Sequence, residues 1–191
     1  MGREFELKYR AADPQLEEIQ SVYSGFREIR METTYYDTPE GDLRRHRWTL
    51  RRRTENGISV CTVKSKLPDG SRGEWEIQCG DILAAVPQLI ALGAPDALLE
   101  YTHQGVISTC GARFLRKAAT LPSGSGQVEL ALDRGVLLGG GKELPFAEVE
   151  VELKQGRDED AIAFAKELAA RFHLAPEPKS KLRRALDLAE S

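Results

Sequence analysis

The sequence predicts an α+β fold in which about eight antiparallel strands close into a β-barrel around a charged tunnel, with helices packed outside. Three observations lead there. Segment after segment alternates charged and apolar residues at period two, the signature of strands with two unlike faces. The charged positions repeat one sign, as Glu-x-Glu or Arg-x-Arg, where a face meant only for solubility would mix signs with Thr, Ser and Gln. Amphipathic helical stretches between the strands supply cover for the apolar faces.

Taken in chain order, residues 3–10 place Glu4, Glu6 and Lys8 on one face and Phe5, Leu7 and Tyr9 on the other. Asp13-Pro14 reads as a helix N-cap followed by proline at N1, leading into Leu16, Ile19 and Val22. A weak strand follows at 32–36. In 48–53, Arg51 and Arg53 oppose Trp48 and Leu50, and in 60–66, Thr62, Lys64 and Lys66 oppose Cys61 and Val63. Leu67-Pro68-Asp69-Gly70 is a turn before Arg72, Glu74 and Glu76, which oppose Trp75 and Ile77. Asp81 caps a second helix through Ile82, Val86, Leu89 and Ile90, closed by Gly93. After a weak strand at 112–119 and a loop at 121–126, Glu129 and Asp133 oppose Val128, Leu130 and Leu132. The triple glycine 139–141 is a loop before Glu148, Glu150 and Glu152, which oppose Val149, Val151 and Leu153. Two helices end the chain, one after Gly156 with Ile162, Ala165, Leu168 and Phe172 inward, the other over 180–189.

With 191 residues, 41% hydrophobic and 30% charged, the chain suits one domain over residues 1–191 and is neither disordered nor membrane-spanning. No apolar run approaches the ~20 residues of a spanning helix, and no signal peptide opens the chain, so a cytoplasmic location is the expectation. Three scattered cysteines, with no C-x-x-C spacing, suggest neither a disulfide framework nor a zinc cluster. The net charge of −3 hides local segregation, with eight arginines between positions 27 and 53 and Glu148, Glu150 and Glu152 late in the chain. That balance argues against nucleic acid as a partner but suits a compact polyanion.

Carboxylates two residues apart on a strand lie only about 7 Å from each other and repel unless a cation lies near them. If the charged faces turn inward, Glu4, Glu6, Glu74, Glu76, Glu129, Asp133, Glu148, Glu150 and Glu152 face Lys8, Arg51, Arg53, Lys64, Arg72 and Arg113, with Arg116 the alternative to Arg113. Guanidinium and ammonium groups around a channel match a linear polyphosphate. Clustered carboxylates without His or Cys match a hard divalent cation, Mg²⁺ or Mn²⁺. Together these are the parts of phosphoryl-transfer machinery.

Glu4-Phe-Glu-Leu-Lys8 resembles the N-terminal E-x-E-x-K signature of the CYTH superfamily, the triphosphate tunnel metalloenzymes. Further segments follow in that family's order: Tyr35-Tyr-Asp-Thr-Pro39, Leu50-Arg-Arg-Arg53, Thr62-Val-Lys64, Arg72-Gly-Glu-Trp-Glu76, the strand at 128–135, Glu148-Val-Glu-Val-Glu152 and Ser180-Lys181. The chain is most similar to the bacterial inorganic triphosphatases of that superfamily. The resemblance implies metal-dependent hydrolysis of tripolyphosphate to pyrophosphate and phosphate, with Glu4, Glu6, Glu150 and Glu152 as metal ligands and Glu148 as the catalytic group at the attacking water. It implies Lys8, Arg51, Arg53, Lys64, Arg72, Arg113 and Lys181 as phosphate-binding residues. The chain departs from the family where relatives read Arg-Gly and it reads Arg184-Ala185.

Other readings compete. Thiamine or nucleoside triphosphate hydrolysis and ATP cyclisation use the same triphosphate grip, and a non-catalytic polyphosphate-binding module needs no turnover. Gly139-Gly-Gly-Lys142 lacks the leading glycine and the Ser/Thr of a phosphate loop and reads as a hairpin turn. Trp48 and Trp75 read as core residues, and His46, His103 and His173 share no metal-ligand spacing.

Overall fold

The computed structural model describes residues 5–66 and 72–191, so the expectations for Glu4, for the 67–70 turn and for the side chain of Arg72 lie outside the described residues. Nine strands form one antiparallel sheet: β1 (Glu6–Arg10), β2 (Arg27–Asp37), β3 (Thr49–Glu55), β4 (Ile58–Lys66), β5 (Arg72–Gln78), β6 (Ile107–Ser123), β7 (Gly126–Gly139), β8 (Lys142–Gln155) and β9 (Ala175–Pro176). Their spatial order is β5-β4-β3-β2-β6-β7-β8-β1-β9.

The predicted closed barrel is not what forms. The sheet is open, with β5 at one end and β9 at the other. The edge of β1 that closure would need is already taken. Tyr9 and Arg10 face Pro176 and Ala175, and Glu177 N–H donates to the Lys8 carbonyl at 2.9 Å. Pro176 brings no N–H of its own, so this position offers no donor to a further strand. The sheet nevertheless coils strongly enough for side chains from β1 through β8 to face one shared cavity.

Helices α1 (Asp13–Val22) and α5 (Asp158–Arg171) cover the convex face of β1, β7 and β8. Leu16, Ile19, Leu168 and Phe172 pack there on Val128, Leu130, Val149 and Val151, the apolar half of the period-two pattern. The α1 start differs by one residue from expectation. Asp13 lies in the first turn and Ala12 is the cap, its N–H bonded by the Gln15 side chain at 2.7 Å, while Gln15 Nε2 reaches the Phe172 carbonyl at 2.7 Å. A second core under β3–β5 is closed by the short α2 (Asp42–Arg45), α3 (Ile82–Ala91) and α4 (Ala97–Thr102), of which the sequence signalled only α3. Asp81 caps α3 as its position predicted, accepting from Ala84 N–H at 2.8 Å. Trp75 belongs to this core, and Trp48 packs at its margin, edge-on to Tyr101.

The last helix, α6 (Lys181–Glu190), corrects the expectation that all helices lie outside. It sits on the concave face, where Leu182, Ala185 and Leu186 pack on Met31, Tyr35, Phe114 and Leu137. The inner surface is thus apolar under α6 and charged beyond it. The two glycines that end β7 and begin its turn let the helix come this close. A Cβ on Gly139 would lie 2.3 Å from the Ala185 carbonyl oxygen and 2.9 Å from Ala189 N. We therefore expect Gly139→Ala to cost about 1–3 kcal/mol by overpacking. Gly141→Ala meets no neighbour within 4 Å and carries only the smaller cost of its left-handed φ of +73°. Paired thermal denaturation curves of the two variants measure the difference.

Candidate active site

The cavity on the concave face has a volume of about 670 Å³ and a wall of mostly charged residues. Glu6 and Lys8 come from β1, Arg51 and Arg53 from β3, Lys64 from β4, Glu74 and Glu76 from β5, Arg116 from β6, Glu129 from β7, Glu150 and Glu152 from β8, and Lys181 from α6. Alternation explains how one surface gathers them. On β1, β5 and the 148–152 stretch of β8 the charged residues share one parity and the apolar ones opposite them fill the two outer cores, while on β3 Arg51 and Arg53 line the cavity opposite the buried Leu50 and Arg52 reaches the Gly80 carbonyl instead.

Register aligns three of the acids. Glu6 is paired with Glu152 across β1 and β8, and Glu152 with Glu129 across β8 and β7. Side chains directly opposite on neighbouring strands stand about 5 Å apart at Cβ, so the three carboxylates form a row across one end of the cavity. Each has a cation near it: Lys8 lies 3.7 Å from Glu6, Lys154 2.8 Å from Glu152, and Arg27 2.6 Å from Glu129.

Opposite this row stand the basic residues of β3 and β4. Lys64 Nζ is 3.1 Å from Glu74, Arg51 Nη2 is 3.7 Å from the same residue, and Arg53 Nη2 is 2.5 Å from Glu55. The Nε groups of both Arg51 and Arg53 are buried with no hydrogen-bond partner. Burial, and next the neighbouring Arg51, push the Arg53 guanidinium below its ordinary pKa.

Deeper in the wall lies a second acidic group, whose composition the sequence listed but whose arrangement it did not reveal. Oxygen atoms of Asp133, Glu148 and Glu150 all lie within 4.8 Å of one another, the spacing of a potential metal site. Protein cations fill it. Lys181 Nζ is 2.8 Å from both Asp133 and Glu150 and also bonds Glu148. Arg116 makes a two-pronged contact with Asp133 at 2.8 and 2.7 Å and also bonds Glu150. Arg184, one turn along α6 from Lys181, bonds the second oxygen of Glu148. Three carboxylates therefore meet three cations, and Asp133 and Glu148 have no exposed surface at all.

The group titrates unevenly. Burial raises Glu148 to about 7 against the pull of Lys181, whereas Glu150, though buried, is held well below the carboxylate range by Lys181 and Arg116. Because the Glu148 value is raised in the folded state, its proton favours folding below the ordinary carboxylate pKa, and that contribution is lost as the pH rises through about 7. Glu148→Gln, which cannot ionise, should remove this slope from the stability profile between about pH 5 and 8. Denaturant midpoints across that range check it.

Of the predicted site residues, Glu6, Lys8, Arg51, Arg53, Lys64, Glu150, Glu152 and Lys181 are brought together at the cavity. Glu148 lies beneath the surface instead of lining it. Arg113 points away from the cavity, exposed and paired with Glu143 at 2.9 Å, and Arg116 takes the inward position. The reason is α6: at this level of β6 the inward parity carries Phe114, which the helix covers, so charge there marks the outer face. Arg116→Ala should cost about 3 kcal/mol because buried Asp133 and Glu150 lose one of their two cations and keep only Lys181, while Arg113→Ala should stay within about 0.5 kcal/mol. Chemical denaturation of both variants separates them.

A coiled antiparallel sheet whose concave face gathers acidic and basic side chains around a cavity, closed at one end by a helix, defines the class of protein. The chain belongs to the CYTH domain family, which matches residues 2–186. A Haemophilus influenzae protein named inorganic triphosphatase is 31% identical over 140 residues, covering 71% of this chain and 39% of that one, so the match spans well under half of that relative's length. Among solved structures, a putative adenylate cyclase from Bacillus halodurans superposes with a TM-score of 0.64 at 20% identity, over 95% of this chain and 96% of that chain. A Hippeastrum protein described as a putative adenylyl cyclase with a dominant triphosphatase activity gives 0.63 at 18% identity, over 94% and 93%. At these identities the structural likenesses concern the fold. Among the described residues no helix is long and apolar enough to cross a membrane.

Proposed function

We propose that this protein hydrolyses inorganic tripolyphosphate to pyrophosphate and phosphate with the help of Mg²⁺ or Mn²⁺. The observation that carries the proposal is the pairing, across one cavity, of a carboxylate row with buried arginines whose Nε donors have no partner. Membership of the CYTH family and the relative named inorganic triphosphatase support it.

Glu6 and Glu152, with Glu129 beside them, would hold the divalent ion. The donor set fits: oxygen ligands only, on adjacent strands, with Glu6 and Glu152 about one-third exposed so that waters can complete the shell. Such an ion, when bound, supplies charge neutralisation at the phosphoryl oxygens and a more acidic water. Arg51, Arg53, Lys64 and Lys8 would hold the phosphates, the arginines through Nε and Nη in the two-pronged geometry that suits phosphate. Lys181 and Arg116 also line this space, each held by the buried carboxylates of the deeper group, and α6 packs its apolar side on the concave face beside them. Glu148 has no path to the cavity in this arrangement, and we assign it to anchoring α6.

Steady-state kinetics on tripolyphosphate, thiamine triphosphate and ATP, with and without EDTA, test the proposal. Turnover highest on tripolyphosphate and abolished by chelator is expected. A higher kcat/KM on either organic triphosphate, or tight polyanion binding with no phosphate release and no effect of chelator, would contradict it.

A further inference from the structure

Two cysteines that stand 18 positions apart in the sequence meet in the core under α3, on the outer face of the sheet. Cys61, on β4, is fully buried, and Cys79, just past the end of β5, is half-buried. The pairing of β4 with β5 sets Cys61 opposite Ile77, and the Cys79 N–H extends it by donating to the Ser59 carbonyl at 3.0 Å. Cys79 is therefore a diagonal neighbour of Cys61, on the same face. Both thiols aim at one oxygen. The Asp81 carbonyl lies 3.2 Å from Cys79 Sγ and 3.9 Å from Cys61 Sγ, and Cys61 Sγ also donates to the Cys79 carbonyl at 3.3 Å.

Such a pair can join through a disulfide or through a shared ion, and two physical arguments separate these. Diagonal neighbours stand about 7–8 Å apart at Cα, beyond the roughly 4.4–6.8 Å that a disulfide spans. Two thiolates on one ion, with metal–sulfur bonds of about 2.3 Å as for zinc, reach roughly 4.6 Å from sulfur to sulfur and suit the wider spacing. Protonation points the same way. Burial, and next the neighbouring Cys79, push the Cys61 thiol up to about 11 against the pull of Arg52, so at neutral pH it stays a thiol and a poor partner in disulfide exchange. A coordinating metal, by contrast, deprotonates a thiol outright.

We propose that Cys61 and Cys79 form a binding site for a soft monovalent cation, copper(I). Each sulfur gives one bond to the ion, both thiol protons pass to solvent, and no electron changes hands. Thiolates select copper(I) over harder ions, and zinc would need two further ligands. Among the described residues no third His, Cys, Asp or Glu side chain closes on the pair to supply them. The surroundings suit the ion. The Arg52 guanidinium, bonded to the Gly80 carbonyl at 3.1 Å, offsets the negative charge of two thiolates on one monovalent cation. The Asp81 carbonyl, on losing the thiol donors, keeps the Ala85 N–H at 3.1 Å. Lys64 lines the cavity from the opposite parity of β4, so the site is independent of the triphosphatase function.

The test is anaerobic competition for copper(I) between the protein and the chromophoric chelator bicinchoninate, with ascorbate present. Wild type is expected to withdraw one copper per chain and to show two sulfur neighbours in the copper X-ray absorption spectrum. Cys61→Ala or Cys79→Ala should weaken binding by at least about a hundredfold, and Arg52→Gln by about tenfold as the loss of an outer partner. Cys110→Ala, in the separate core under α6, should change nothing. The wild-type absorption spectrum decides even where a variant fails to fold. Copper left on the chelator by wild type, fewer than two sulfur neighbours, or binding that survives Cys61→Ala would overturn the proposal. So would loss of two titratable thiols from wild type in oxidised glutathione with copper left on the chelator, the mark of a redox pair instead.

Discussion

Glu152→Gln is expected to cut tripolyphosphate turnover by at least about a hundredfold while leaving the fold in place. Glu152 is the middle member of the cross-strand row, flanked by Glu6 and Glu129, and removing its charge takes away the carboxylate that both neighbours share. Loss of an outer-shell partner alone typically costs 10–100-fold in metal affinity, so loss of a ligand should lower kcat/KM by at least about a hundredfold. Its side chain is about one-third exposed, and the amide is isosteric, so stability should change by no more than about 0.5 kcal/mol. The variant also needs more Mn²⁺ for half-maximal activity, which a metal titration reads independently of kcat. Unchanged activity would remove the row from the chemistry.

Lys181→Met is expected to produce the largest loss of stability of any single change in the site. Among the described residues its ammonium is the one cation in contact with all three of Asp133, Glu148 and Glu150, and two of those carboxylates have no exposed surface. Breaking a buried ion network by removing one partner costs about 3–5 kcal/mol because the remaining charges stay buried. Met keeps the length of the stem beside Phe114 and Phe146, over whose rings the ammonium sits at 5.1 and 5.6 Å, so lost charge dominates lost packing. Adding Glu148→Gln should recover part of the loss, because a neutral amide no longer demands a counter-charge there. A double-mutant cycle by urea denaturation measures that coupling, and additive effects of the two changes would rule out the network as drawn.

How far the sequence could lead is clearest at β6. Period-two patterning places Glu150 and Glu152 on an inward face because Val149, Val151 and Leu153 opposite them are apolar and must be covered, and it places Arg51 and Arg53 opposite Leu50. On β2 and β6 the rule inverts. Ile29, Met31, Tyr35 and Phe114 point inward since α6 lies against them, and no local pattern announces that a helix some 70 residues downstream will return to the concave side. The sequence therefore favours Arg113 with Arg116 as its alternative, and it is Arg116 that holds the inward position. The open sheet was equally hidden, for it depends on a two-residue strand, Ala175–Pro176, too short to carry any periodicity. The E-x-E-x-K and E-x-E-x-E segments were legible, but whether Glu148 faces a ligand or a lysine is a matter of tertiary packing. Only the structure shows that α6 brings Lys181 and Arg184 to it.

Crystals grown with Mn²⁺ and tripolyphosphate, with data collected at the manganese absorption edge, would put the account to its most direct trial. We predict an anomalous peak between the carboxylates of Glu6 and Glu152, phosphates against Arg51, Arg53 and Lys64, and Lys181 still bound to Asp133, Glu148 and Glu150. A peak within that deeper acidic group, with Lys181 expelled, or phosphates outside the concave face, would contradict it.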